Sequence, residues 1–68
     1  MNRLKELREE RKWSQEDVAN IAGVKLGTYS KWEQGRLPLN NARGYNLEKL
    51  ADTFEVSVDY LLGRDNVR

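Results

Sequence analysis

The segment from Gln15 to Gly35, "QEDVANIAGVKLGTYSKWEQG", constrains this chain more than any other. Counted from Gln15, the fourth, fifth and eighth residues are Val18, Ala19 and Ala22. The ninth is Gly23, the tenth Val24, and the fifteenth and eighteenth are Tyr29 and Trp32. Two helices crossing steeply over a turn of three or four residues bring their backbones together, and Ala19 is small enough for the crossing point. The turn needs one positive φ, which Gly23 adopts without steric cost. The remaining apolar positions face a bundle. Each feature alone is common; together, at this spacing, they specify two crossed helices on a tight hinge.

The other residue types narrow the function by what they omit. A chain of 68 residues forms one domain, and a domain of this size buries only about 60% of its unfolded surface, too little for a deep, water-free cleft. It has no cysteine and no histidine, so disulfides, thiolate nucleophiles, sulfur-rich zinc sites and the usual neutral-pH base are absent together. Neither enzymatic activity nor a cofactor or metal is expected. No apolar run approaches the ~20 residues that span a bilayer, and "MNRLKELREERK" is charged throughout, unlike a secretory signal. A soluble, cytoplasmic protein with no membrane partner is therefore expected. The net charge is +1, with residues 1–36 at +2 and residues 37–68 at −1. That tilt is too weak to identify a nucleic-acid binder by itself.

One proline, Pro38, and no sustained period-2 alternation argue for an all-α fold. Asn2 caps a first helix through about Lys12, with Leu4 and Leu7 facing inward. Ser14 opens the second helix with "SQED", a near capping box with Asp17 in the third helical position, and Trp13 can staple onto Val18. Gly23 ends this helix. A third runs from about Leu26 to Gln34, burying Tyr29 and Trp32, and stops at Gly35. The connection "GRLPLNNARGYN" reads as loop. Asn46 caps a fourth helix through Phe54, and Ser57 a short fifth, "VDYLL", closed by Gly63. The tail 64–68 is expected to fray. The predicted architecture is a five-helix domain over residues 1–63, with the helix-turn-helix at about 14–34. The second helix of such a pair fits the ~12 Å major groove of B-DNA.

"SQEDVANIAGVKLGTYSKWEQG" followed by "LEKLADTFEVSVDYLLG" resembles the Cro/repressor-type (xre-type, lambda-repressor-like) helix-turn-helix family over about residues 3–63. The most specific pieces are the Ser-Gln opening, Ala19 with Gly23-Val24, "WEQG" and "VSVDYLL". The resemblance implies a five-helix, DNA-binding transcriptional regulator, usually dimeric on a two-fold operator. By position, Gln15 matches a phosphate-contacting residue. Lys25, Leu26, Gly27, Thr28 and Lys31 match the groove-facing part of the recognition helix, and Arg8 with Glu33 matches an ion pair bracing the first helix against the third. Three departures stand out. The connection between Pro38 and Leu47 is a few residues longer than usual. Lys25 stands where a Ser or Thr cap is common, weakening that helix start by ~1 kcal/mol. Glu55 replaces the small or Gly-like residue usual after the fourth helix.

The chemistry of these residues suits the assignment, beside plainer readings. Gln15 lies in a first turn whose free N–H groups can face phosphate, or it is a solvent-exposed amide. Lys25 and Lys31 can reach phosphate or guanine edges, or are surface charge. Thr28 can meet a thymine methyl or a phosphate; Ser30 is a weaker candidate. Arg36, Asn40, Asn41 and Arg43 can touch the DNA backbone beside the site, or simply form a polar loop. Arg8 and Glu33 read as structural, and Trp13, Tyr29 and Trp32 as core or staple residues. Gly27 would let the helix tip approach the groove closely, with Leu26 offering only apolar contact. No Arg, Asn or Gln stands at the usual base-reading positions, so phosphate contacts and DNA shape are expected to supply much of the binding.

The leading expectation is a repressor or other transcriptional regulator of phage, plasmid or bacterial-chromosome type, acting as a homodimer on double-stranded DNA. The alternative is a protein-interaction module such as an antitoxin binding a toxin, with Ile21, Leu37 and Leu39 forming an apolar partner face or the dimer contact.

Overall fold

Helix starts and stops follow local backbone chemistry. The computed structural model describes residues 2–68, with α1 at Leu4–Glu10, α2 at Gln15–Ala22, α3 at Leu26–Gln34, α4 at Gly44–Phe54 and α5 at Val58–Leu61. A 3-10 turn occupies Leu39–Asn41. Among the described residues there is no strand. At the head of α2 the Ser14 hydroxyl accepts the Asp17 N–H at 3.0 Å, and the Asp17 carboxylate accepts the Ser14 N–H at 2.9 Å. This reciprocal pair satisfies two N–H groups that have no helical partner. Ser57 caps α5 by accepting the Tyr60 N–H at 3.0 Å. The Asn2 Oδ1 accepts the Leu4 N–H at 3.0 Å, and its amide donates to the Trp32 carbonyl at 2.9 Å, so one side chain ties the head of α1 to α3.

All five α-helices end alike. A residue in the left-handed region follows each one, at Lys12, Gly23, Gly35, Glu55 and Gly63. In every case its N–H and the next bond back to the last turn, as in Trp13 to the Arg8 carbonyl at 3.2 Å and Val56 to the Ala51 carbonyl at 3.0 Å. These are Schellman terminations, which satisfy carbonyls the helix leaves open. Two of the five use a residue with a β-carbon. Lys12, expected inside α1, is one of them; α1 stops at Glu10 because Trp13 must turn back, setting its ring 5.9 Å from that of Phe54.

The core joins Leu4 and Leu7 of α1, Val18, Ala19 and Ala22 of α2, Tyr29 and Trp32 of α3, and Leu50, Ala51 and Phe54 of α4 with Tyr60 and Leu61 of α5. Three further sequence expectations are corrected. Asn46 does not cap α4, which starts two residues earlier at Gly44; the Asn46 N–H bonds to the Arg43 carbonyl at 2.9 Å. The cause is Leu39, only 4% exposed. Drawing it into the core turns the chain at 39–41 and delivers it to the helix early. For the same reason Leu39 does not contribute to an apolar outer face.

The third correction is the tail. Residues 64–68 fold back: the Arg68 carbonyl accepts the Ser57 N–H at 2.8 Å, and the Arg68 guanidinium pairs with Glu10 at 2.7 Å. Arg3 donates to the Asp65 carbonyl at 3.1 Å, with its guanidinium 4.0 Å from the centre of the Tyr60 ring. A segment this polar reads as solvated, but two guanidinium groups and an aromatic face supply partners that composition does not disclose.

Candidate nucleic-acid interface

The hinge between α2 and α3 is built from two residues. Gly23 takes φ 72°, and the Val24 N–H reaches back to the Ala19 carbonyl at 3.0 Å. Ala19, 1% exposed, lies at this junction, where a larger side chain would push the helices apart.

Two anchors fix the rotation of α3 about its axis. Tyr29 and Trp32 are buried, with ring centroids 6.5 Å apart and edge to face. Spaced three apart, they define the inner stripe and leave the opposite edge bare. Lys25, Leu26, Gly27 and Lys31 are exposed there, Leu26 at 44%, while Thr28 and Ser30 are half-buried. Ser30 is partly engaged, its hydroxyl accepting from the Gln34 amide at 3.2 Å. Lys25 precedes the helix without capping it. A β-carbon added at Gly27 would meet no atom within 4 Å. Nothing inside the protein requires a glycine there.

Behind this edge lies a hydrogen-bonded cluster. Arg8 Nε donates to Glu33 Oε2 at 2.7 Å and a terminal nitrogen donates to Oε1 at 3.1 Å, a two-pronged pair. The other terminal nitrogen donates to the Trp13 carbonyl at 2.8 Å. The Gln15 amide donates to Glu33 Oε1 at 3.1 Å. Side-chain exposure is 14% for Arg8 and 3% for Glu33. Burial pushes the Glu33 carboxyl pKa up, but the Arg8 hydrogen bonds, with smaller help from the Tyr29 hydroxyl and Gln15, outweigh it and hold the group below its ordinary value. Arg8 is held more firmly protonated than usual, chiefly by that same hydrogen bond. The Tyr29 hydroxyl is buried beside the pair with no partner in hydrogen-bond geometry. Burial first, and then the neighbouring Glu33 carboxylate, push its ionisation far upward. None of these shifts poises a group for proton transfer near neutral pH. Among the described residues, no cluster of His, Cys, Asp or Glu could hold a metal ion.

The flanking candidates divide. Arg36, Asn41 and Arg43 are exposed, and Asn41 and Arg43 line a shallow depression with Trp32 at the end of α3. Asn40 lines a different one with Asn2, Leu62 and Arg64, toward the chain ends. The tie between Gln15 and Glu33 was missed in the sequence. Eighteen positions separate them, and only the crossing of α2 over α3 brings the start of one helix to the end of the other.

A small all-helical domain, with a glycine-hinged helix pair and the outer edge of the later helix bare, is by its geometry a helix-turn-helix domain. A helix-turn-helix family model matches residues 4–61, and the chain belongs to that family. It is 39% identical over 66 residues to the HTH-type transcriptional regulator AnsR of Bacillus subtilis (strain 168), an alignment covering 96% of this chain and 53% of that protein. The chain thus spans about half the length of this curated relative. Among solved structures, the P22 c2 repressor protein in complex with synthetic operator 9T superposes with a TM-score of 0.80 at 30% identity, covering 93% of this chain and 91% of that one. The N-terminal DNA binding domain of SinR from Bacillus subtilis gives 0.76 at 33% identity, covering 88% and 84%. The all-α, five-helix architecture is that of the lambda-repressor-like domains.

Proposed function

We propose that this protein is a sequence-specific double-stranded DNA-binding transcriptional regulator, acting as a repressor in the cytoplasm and placing α3 in the major groove. The observation that carries the reading is the bare outer edge of α3, with Lys25, Leu26, Gly27 and Lys31 exposed while Tyr29 and Trp32 hold the helix from behind. The relatives named as regulators and the superposition on an operator-bound repressor support it.

In this reading Lys25 and Lys31 meet phosphates or guanine edges, Thr28 a phosphate or thymine methyl, and Gln15 a phosphate. Arg36, Asn41 and Arg43 touch the flanking backbone; Asn40 and Ser30 are the weakest members, the first by its position and the second by its bond to Gln34. The domain extends 27 Å along its longest axis, less than the ~34 Å between half-sites one helical turn apart. Reading two half-sites therefore takes two copies, which favours a homodimer on a two-fold operator.

The protein-interaction reading is weakened by the burial of Leu39, which leaves Ile21 and Leu37 at 40% and 39% exposure as its apolar surface. Selection of duplexes from a random-sequence pool, followed by a salt titration of the winner, tests the DNA reading. A steep linear fall of log K with log[salt] is expected; no enriched duplex, or a flat salt response, overturns it.

A further inference from the structure

We propose that Glu33 is a positioning residue for Gln15, so that the ion pair behind the recognition helix also aims a phosphate donor. This rests on the DNA reading above.

The geometry is a relay of four groups. The Trp13 carbonyl and the Glu33 carboxylate hold Arg8 at three of its nitrogens, which leaves the guanidinium one orientation. The carboxylate it fixes then receives the Gln15 amide. A carboxylate only accepts hydrogen bonds, so it selects the amide nitrogen and rejects the amide oxygen. A free glutamine side chain rotates about its last bond and presents oxygen or nitrogen to an incoming phosphate; oxygen facing phosphate is repulsive. Here one N–H is committed inward. The second diverges from it by the trigonal angle of the amide nitrogen and remains available to an acceptor outside.

Glutamine is among the side chains that lose most rotamer freedom on being fixed. Prepaying that loss in the free protein strengthens binding by about tenfold, the scale of one immobilised side chain. The relay also makes sense of a carboxylate sited next to a surface that must approach polyanionic DNA. Glu33 is 3% exposed and matched by Arg8, so its charge is neutralised locally while its hydrogen-bonding capacity is still used.

The test replaces the ion pair as a unit. Arg8→Met/Glu33→Met substitutes apolar side chains of similar length, an exchange that is often neutral for stability, and urea unfolding verifies the fold. The probe is the short duplex selected by the wild-type protein. The double variant is expected to bind about tenfold more weakly, with an unchanged salt slope because Gln15 is uncharged. Gln15→Ala is expected to weaken the wild type by about the same factor and to add little in the variant background. Wild-type affinity in the double variant, or independent multiplication of the two losses, overturns the proposal. So does a salt slope reduced by about one, which would place Arg8 itself on a phosphate.

A second readout needs no variant. In the free protein one Gln15 Nε2 proton should give a downfield, slowly exchanging NMR signal; a pair at free-glutamine positions overturns the relay. Failure of the wild type to retain any duplex would instead sink the DNA reading on which the relay depends, whatever the NMR signal.

Discussion

Arg11, at the end of α1, donates a hydrogen bond to the Phe54 carbonyl at the end of α4, at 2.9 Å. The guanidinium also lies 5.4 Å from the Phe54 ring and 5.6 Å from that of Trp13. One cation thus caps a helix C-terminus across the fold, where the macrodipole favours positive charge. Arg11→Ala removes a charged hydrogen bond and the packing of the side-chain stem. A loss of about 1–2 kcal/mol is expected, seen as a lower urea midpoint at constant m-value.

Two helix ends carry a conformational cost that can be removed. Lys12 and Glu55 both sit at φ 57°, a region disfavoured by about 1–2 kcal/mol per residue when a β-carbon is present. Lys12→Gly and Glu55→Gly should each stabilise the domain by up to about 1 kcal/mol, net of the entropy glycine adds to the unfolded chain. The melting temperature should rise by about 4–8 °C per kcal/mol. A fall in either variant would mean that these side chains contribute contacts outweighing the strain.

Acid should weaken the fold through Glu33. Its pKa in the folded protein lies below the ordinary 4.5. The stabilisation is therefore fully present above that value and is lost as pH falls through the lower folded one. Unfolding free energy measured from pH 7 downward should be level until near 4.5 and then decline. Arg8→Met/Glu33→Met should decline less over the same range, keeping only the contributions of carboxylates such as Glu10 and Asp17, whose pKa values are also lowered.

Gly27→Ala separates folding from binding. Space is open around the added methyl, and alanine is the better helix former by up to about 1 kcal/mol. The variant should melt higher. Because only an outside partner gives this glycine a purpose, affinity for the selected duplex should nevertheless fall; equal or tighter binding would rule out a close approach at the helix tip.

Lys25→Ala and Lys31→Ala should each reduce the slope of log K against log[salt] by about one if the ammonium neutralises a phosphate. Weakened discrimination between duplexes at unchanged slope would instead assign the residue to a base edge. The two outcomes place each lysine separately.

What could be read from residue order alone was the chemistry that acts within a turn of helix. Ser14 with Asp17, Ser57, and the glycines at 23 and 35 marked helix ends in advance, because capping and left-handed turns are settled by groups a few positions apart. The span of α3 and its inward Tyr29 and Trp32 followed from the same short-range logic. What only the folded chain decided was most of what bridges long separations; the pairing of Arg8 with Glu33 across 25 positions was indicated by family resemblance, not by local chemistry. Lys12 and Glu55 accept a disfavoured backbone because core contacts on either side dictate the turn, and Leu39 leaves the loop for the core because an apolar space awaited it. Arg68 meets Glu10 across 58 positions, and Gln15 meets Glu33 across 18. Local propensity amounts to about 1 kcal/mol per site, and tertiary burial and hydrogen bonding exceed it wherever the two disagree.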